Sequence, residues 1–482
     1  MVDHSSLQKS RIWPIRPDEM KLFWLMSAFL MCLSLNYVII HDIKDTLVVG
    51  HVGPSFVAFL KFWVTIPGAI LFFLTYAKLS AHLPQKFLLY GILLLYALYF
   101  FVFAFYMYPD VGLSCEKSSV PDVRSSLDDL FIHWRIVIFY LAGELWGNVV
   151  LGLLFWGFAN RLIRLSVAKR FYVPLNLSTA IATIAGGLLN SFISSGLRSH
   201  SLDYMVTIKI LSVILIFSII LGIFFYQRII SSSDQFSQMT QKHTEKMDES
   251  QKTSFLMSIR TIFASPYLFR IAVMVMCFGF VYNFVEIIWK YELRQVFSKM
   301  NEYSSFLGLI TVLQSIVSFL VIIMGSGFTV KFGWRKAALV TPAALMITAV
   351  LFFSCVLIKR ESTLLTGFHW ISMMPVYLGA LHFITARTCR LAFFEPGKDM
   401  LFIPLSGSLR TQGKSAVDVV GDRLGKGGGS LIQHSMIAAI GSIAGFVPYA
   451  FALSLCFLGI WFYSTISISS LFLKQSATQD KE

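Results

Sequence analysis

Ionisable side chains interrupt otherwise apolar stretches at four places in this 482-residue sequence. The first is IIHDIKDTLVVG (39–50), where His41, Asp42, Lys44 and Asp45 crowd the end of an apolar run that begins near Leu22. In the second, YLAGELWGNVVLGLLFWGFANR (140–161), Glu144 has no basic residue at i±3 or i±4, and Asn148 follows one turn later on the same helical face. The third, FVYNFVEIIWKYEL (280–293), places Asn283, Glu286 and Lys290 on one side of a helix. The fourth runs from Glu395 to Gln433. It carries Lys398, Arg410, Lys414, Arg423 and Lys426 and ends in a glycine run.

A charge at the centre of a bilayer-spanning helix costs about 2.5–3.5 kcal/mol on insertion scales, so each position is a candidate for charge handling. Ordinary explanations compete at every one. Lys44 can snorkel beside two aspartates, or serve as a fixed cation for an anionic substrate. Glu144 can sit protonated on Asn148, pair with a cation across the bundle, or act as a proton site. Glu286 can form a simple i,i+4 pair with Lys290, or line a polar path with Asn283. The fourth segment reads as an amphipathic, non-spanning stretch over Arg387–Gly429. Its glycine run is either a hinge or, with backbone N–H groups at a helix start beside Lys426, an anion seat. One decoy is excluded: GSLRTQGKS has five residues between Gly407 and Gly413 where a phosphate-binding P-loop has four, and no strand precedes it.

These residues must be positioned by membrane helices. The chain is 56% hydrophobic and 14% charged, with a mean hydropathy of +0.70; soluble domains run near ~25% charged. Apolar runs suited to spanning fall at approximately 22–40, 56–77, 86–108, 134–160, 172–194, 205–227, 267–289, 305–328, 336–358, 366–386, 430–446 and 448–472. The expected fold is therefore an all-α integral membrane protein of about twelve helices in two six-helix halves, major-facilitator-like. The halves are 1–230 and 263–482, joined by a polar cytoplasmic linker, 231–262. Alternating the loops with the amino terminus inside leaves about 28 of the 40 Lys and Arg on the cytoplasmic side. Both termini are then cytoplasmic, and the formal charge of +14 follows largely from topology without a nucleic-acid partner. The first apolar run is too long for a signal-peptide core. Six cysteines without CxxC spacing imply neither a disulfide framework nor a metal site, and no cofactor is expected.

Several of these stretches together resemble one family, the nucleotide translocases (ATP/ADP antiporters) of obligate intracellular bacteria and plastids. The likeness is carried by KDTLVV (44–49), ELWGNVVLGLLFWGFAN (144–160), NFVEIIWK (283–290), FFEPGKDMLFIPL (393–405) and GKSAVDVVGDRLGKGGGSLIQ (413–433). It implies a transporter rather than an enzyme, moving nucleotides by alternating access. Lys44, Glu144, Glu286 and a lysine of the last motif, Lys426 before Lys414, would then be tied to transport. The family typically reads RDTKDTLVV at the first site, whereas this chain has His41 for the arginine and Ile43 for the threonine. Losing a guanidinium that grips phosphate with two parallel hydrogen bonds leaves other nucleotides, or proton-coupled import, as alternatives to ATP/ADP exchange. The resemblance also implies nucleotide and lipid partners and a monomer. The short amino terminus points to a bacterial cytoplasmic membrane. A polytopic enzyme acting on a phosphate-bearing head group is the remote alternative.

Overall fold

The computed structural model describes residues 15–109, 123–196, 204–232, 261–325, 328–361, 369–405, 413–414 and 416–479. No strand occurs among them. The expected linker lies outside the described residues except at its two ends, as does Arg410.

Among the described residues, ten helices are long and apolar enough to cross a membrane. They are α1 (Pro17–His51), α2 (Pro54–Ser80), α3 (Gln85–Met107), α4 (Trp134–Leu162), α5 (Arg170–Gly196), α6 (Tyr204–Ser232), α7 (Pro266–Val296), α8 (Met300–Met324), α9 (Trp334–Glu361) and, last in the chain, α12 (Ile443–Phe472). Two further helices lie between α9 and α12. The first is α10 (His369–Cys389), continued without a break through Arg390–Phe394 and Glu395–Met400. The second is α11 (Gly429–Ile440), entered through the helical turns Val417–Gly421 and Leu424–Gly428.

The last two helices correct the expected boundaries. The tenth span does not stop at 386, and the eleventh starts well before 430 and ends at Ile440, where Gly441 takes a left-handed φ of +86° before α12 begins. The stretch 387–429 reads as non-spanning because hydropathy treats each charge as if it faced water alone. In the folded chain these charges neutralise one another between the two helices. Lys398 is shared by Glu395 and Asp418 at 2.7 Å each, Arg390 binds Glu395 at 3.0 Å, and Asp422 lies 3.6 Å from Arg390 and 2.9 Å from Lys426.

Two helices are central. Of their most apolar windows, 67% of α1 and 78% of α7 are buried in protein, against 28–44% for the other eight. Those eight leave large side chains such as Leu71, Phe192, Phe217 and Ile347 exposed. Lipid supplies their solvent, since irregular or polar backbone cannot face it. The helices up to residue 232 meet those from residue 261 onward along two seams. On one, a Cβ on Gly187 of α5 would lie 2.7 Å from the Gly308 carbonyl oxygen of α8, so only glycine permits this approach. On the other, Gly427, on the approach to α11, closes on Ile66 of α2, where a Cβ would meet a side-chain carbon at 2.5 Å.

Several helices widen into π-helical turns: Leu60–Thr65 in α2, Trp146–Phe155 in α4, Arg390–Phe394 after α10 and Leu424–Gly428 before α11. Such turns gather at functional positions in helical proteins. Here they hold Lys61, Asn148, Arg390 and Lys426.

Candidate functional site

Near the ends of α1 and α7, the sequence places Lys44 and Lys290 on buried faces, 2% and 3% exposed. Neither can remain alone there, because an uncompensated buried charge costs several kcal/mol after relaxation. The fold resolves this with a chain of six alternating charges. Glu144 Oε1 of α4 lies 2.8 Å from Lys44 Nζ, which lies 2.9 Å from Asp45 Oδ1. The other oxygen of Asp45 takes Lys290 Nζ at 2.9 Å, and Lys290 reaches Glu286 Oε1 at 2.7 Å. Glu286 Oε2 then accepts from Lys61 of α2. Three cations and three anions leave no net charge.

Neighbouring groups fix this geometry. Gly143 lets the Lys44 stem lie against α4, since a Cβ there would be 2.9 Å from Lys44 Cδ. The ammonium also sits 4.5 Å from the centre of the Tyr140 ring. Lys61 Nζ donates to Asn283 Oδ1 at 3.2 Å, and Asn283 Nδ2 donates to the Lys426 carbonyl at 2.9 Å. Gln433 Nε2 donates to the Asn283 carbonyl at 3.2 Å. Beside them is a cavity of about 10 Å³, room for a single water, lined by Lys61, Asn283, Glu286, Lys290 and Gln433. The same end of the bundle is drawn together by Asn190 of α5, which donates to Asp42 Oδ2 at 3.0 Å and to the Ser304 carbonyl at 3.1 Å.

Of the residues singled out by sequence, Lys44, Asp45, Glu144, Asn283, Glu286 and Lys290 meet in this cluster. His41 stands at its rim, 46% exposed, with Nδ1 4.0 Å from Asp45 Oδ2. Asn148 does not bind the Glu144 carboxylate. The helix turns π at Trp146, which breaks the α spacing, and Asn148 Nδ2 donates instead to the Glu144 backbone carbonyl at 3.3 Å. Lys414 is exposed and paired with Asp399 at 2.9 Å. The Lys426 side chain is also exposed and held by Asp422, so Glu286 pairs with Lys61 and Lys290 rather than with Lys426.

The anion seat at the glycine run is corrected as well. Gly428 has helical dihedrals, and the Gly429 N–H donates to the Gly425 and Lys426 carbonyls, so the preceding turns run on into α11 and that N–H is already taken. The glycines serve close packing, because a Cβ on Gly279 of α7 would lie 2.7 Å from backbone Gly425 C. Phe155 of α4 is fully buried against Phe29 and Trp156.

Sequence reasoning missed Lys61. It lies inside the run 56–77, and the rule that flagged Glu144, a charge within a spanning segment, applies to it equally.

A bundle of membrane helices encloses a chain of fixed charges with no net charge, the arrangement of a polytopic membrane protein. Solved transporters share the architecture. A bacterial homologue of the iron transporter ferroportin in an inward-facing state superposes with a TM-score of 0.61 at 14% identity, covering 94% of this chain and 99% of that one. A D-xylose–proton symporter superposes with a TM-score of 0.56 at 10% identity, covering 93% and 97%. Residues 2–472 match the family described as TLC ATP/ADP transporter, and the chain belongs to it.

Among similar proteins, ADP,ATP carrier protein 1 of Chlamydia pneumoniae is 32% identical over 98% of this chain and 96% of its own length. ADP,ATP carrier protein 3 of Rickettsia prowazekii is 30% identical over 97% of both. The chloroplastic ADP,ATP carrier protein 2 of Arabidopsis thaliana is 32% identical over 96% of this chain and 76% of its own. The protein is a membrane transporter, not an enzyme.

Proposed function

We propose that this protein exchanges ATP for ADP across a bacterial cytoplasmic membrane, with both termini in the cytoplasm and one chain as the transport unit. The observation that carries this reading is the alternating six-charge chain, whose three lysines lie where α1, α2 and α7 converge. ATP carries about four negative charges and ADP about three, so phosphate groups are natural competitors for lysines now held by carboxylates. Phosphate takes over lysines that the carboxylates release, which exchanges one set of charge-assisted bonds for another.

The halves 1–230 and 263–482 move against each other about this site. In the present state the ends of α1 and α7 are drawn together, and cytoplasmic termini would put that closed end on the outer face. The second set of charges, on the helices around Arg390 and Lys426, is more exposed and stays within the carboxy-terminal helices. That asymmetry supports a cavity facing the cytoplasm. Lys426 and Lys414 would meet the nucleotide as it enters from that side, before it reaches Lys44.

His41 supports a second reading. An imidazole stands at the rim where the family has a guanidinium, so another nucleotide, or import coupled to protons, fits the same scaffold.

Purified protein in liposomes preloaded with ATP, ADP, GTP, NAD or buffer, given labelled ATP with and without a proton gradient, separates these readings. Uptake that requires internal ATP or ADP supports exchange. Equal uptake into empty liposomes driven by the gradient supports proton coupling, and no uptake under any loading sinks both.

A further inference from the structure

Separating the two groups of helices would break two links of the charge chain, Asp45–Lys290 and Lys61–Glu286, and no others in it. The consequence differs from residue to residue. Asp45 keeps Lys44, and Lys44 keeps both Asp45 and Glu144, all on helices before the linker. Lys290 and Glu286 keep each other along α7. Lys61 keeps no direct bond: Glu144 of α4 acts on it only across space, and that carboxylate already holds Lys44. The carboxylate partner of Lys61 among the described residues is Glu286, and its second polar contact, the Asn283 side chain, also belongs to α7. Opening thus leaves one member of six, a cation, without a direct ion-pair partner among the described residues.

Lys61 is also the lysine best placed to be reached. It is 20% exposed where Lys44 and Lys290 are 2% and 3%, and it lines the small cavity beside Asn283 and Gln433. A lone ammonium within a spanning segment is penalised, and removing one partner of a buried pair is more damaging than removing both. An anion that accompanies the opening removes that penalty. A nucleotide phosphate, with several anionic oxygens on one group, can replace Glu286 and Asn283 on the Lys61 ammonium.

From this we infer that Lys61 is the coupling residue of the exchange. It contacts the substrate phosphate when the halves part, and its unpaired charge in the empty protein is what makes empty opening unfavourable. The inference rests on the reading of the protein as a nucleotide exchanger. It assigns the exchange requirement to one side chain rather than to the cluster as a whole.

The test uses the full chain in liposomes, loaded with ADP or with buffer, and follows entry of labelled ATP. The wild-type protein is expected to take up ATP far faster into ADP-loaded vesicles than into empty ones. In Lys61→Gln, and in Lys61→Met, which keeps the length of the stem, that ratio should fall by about tenfold or more, because no orphaned cation opposes empty opening. Lys61→Arg should retain it. Equilibrium binding to the purified variants gives the second readout. Lys61→Gln should weaken binding in the order ATP, then ADP, then AMP, leaving adenosine unaffected. A residue serving only to latch the halves would change all four alike.

A neutral variant that inserts, binds the four ligands as the wild type does and keeps the wild-type loading ratio overturns the inference. Wild-type protein with no dependence on internal nucleotide overturns instead the exchange reading on which it rests.

Discussion

Lys44 and Lys426 are both lysines that the family resemblance ties to transport, yet their surroundings predict different failures. Lys44 is buried, holds Asp45 and Glu144, and packs on Tyr140. Truncating it leaves Glu144 without its bonded cation and Asp45 with Lys290 alone, a change of the kind that costs about 3–5 kcal/mol when one partner of a buried pair is removed. Lys44→Ala should abolish exchange and also lower the melting temperature of the purified protein. Lys426 is 59% exposed and, among the described residues, its ammonium pairs with Asp422. Exposed pairs contribute about 0–1 kcal/mol, so Lys426→Ala should leave the melting temperature within error while nucleotide uptake falls. Thermal unfolding followed by tryptophan fluorescence, alongside uptake, checks both, and a destabilised Lys426→Ala with normal uptake would reverse the assignment. The sequence separates these two residues poorly. Each stands beside an aspartate within a few positions, and what distinguishes them is burial by neighbouring helices. Lys290 was legible only as a local i,i+4 partner of Glu286, because its bond to Asp45 joins residues 245 positions apart. The bonds that matter most at this site are those that a linear pattern cannot display.

At the scale of elements, apolar run length sufficed for α1 to α9 and for α12, whose cores match the expected spans. It failed for α10 and α11, where Arg390, Lys398, Asp418 and Asp422 neutralise each other between helices and so satisfy the membrane without looking apolar. Helix type was also illegible. The π turn at Trp146 turned Asn148 away from the Glu144 carboxylate, and no residue in WGNVVLGLLF announces it. The glycine run GKGGG was legible as special, with a hinge and an anion seat as the alternatives, and neither points to the close packing it makes. Its role is contact, and that carries a prediction. Gly279→Ala places a methyl carbon 2.7–2.8 Å from the Gly425 backbone, where no side chain can rotate out of the way. Overpacking of this sort costs about 1–3 kcal/mol, and it pushes the Lys426 carbonyl away from Asn283 Nδ2. Alanine is otherwise favoured over glycine inside a helix by about 1 kcal/mol, so a neutral outcome would mean that the two backbones can part freely. Gly459→Ala supplies the comparison, because nothing lies within 4 Å of a Cβ there. The expected result is a lower melting temperature and slower exchange for Gly279→Ala, and wild-type behaviour or slight stabilisation for Gly459→Ala.

At the scale of the whole molecule, transport by alternating access requires that contacts across the closed end come apart once per cycle. The α5–α8 seam is a direct place to ask whether they do. Ser191 and Ser305 face each other with their hydroxyl oxygens 3.2 Å apart, and Ser305 also donates to the Ser191 carbonyl at 3.2 Å. At the adjacent positions Asn190 ties Asp42 to Ser304, and one turn away Thr207 of α6 donates to Asn301 at 2.8 Å. These are small, neutral groups, so replacing one hydroxyl by a thiol disturbs no ion pair. The double variant Ser191→Cys with Ser305→Cys brings two sulfurs within reach of a disulfide, whose Cβ atoms must lie about 3.5–4.5 Å apart. Oxidation should then stop exchange almost completely, and a reductant should restore it, while each single variant exchanges normally in both conditions. A disulfide resists separation far beyond what the hydroxyl pair does, so residual activity in the bonded form would show that this seam stays closed throughout the cycle. Exchange at the wild-type rate in fully bonded protein would require the charge chain to open without the halves moving apart at this end. In that event Asp45–Lys290 and Lys61–Glu286 would be rearranged by the π turn of α2 alone, and the coupling assigned to Lys61 would act within a gate rather than between halves.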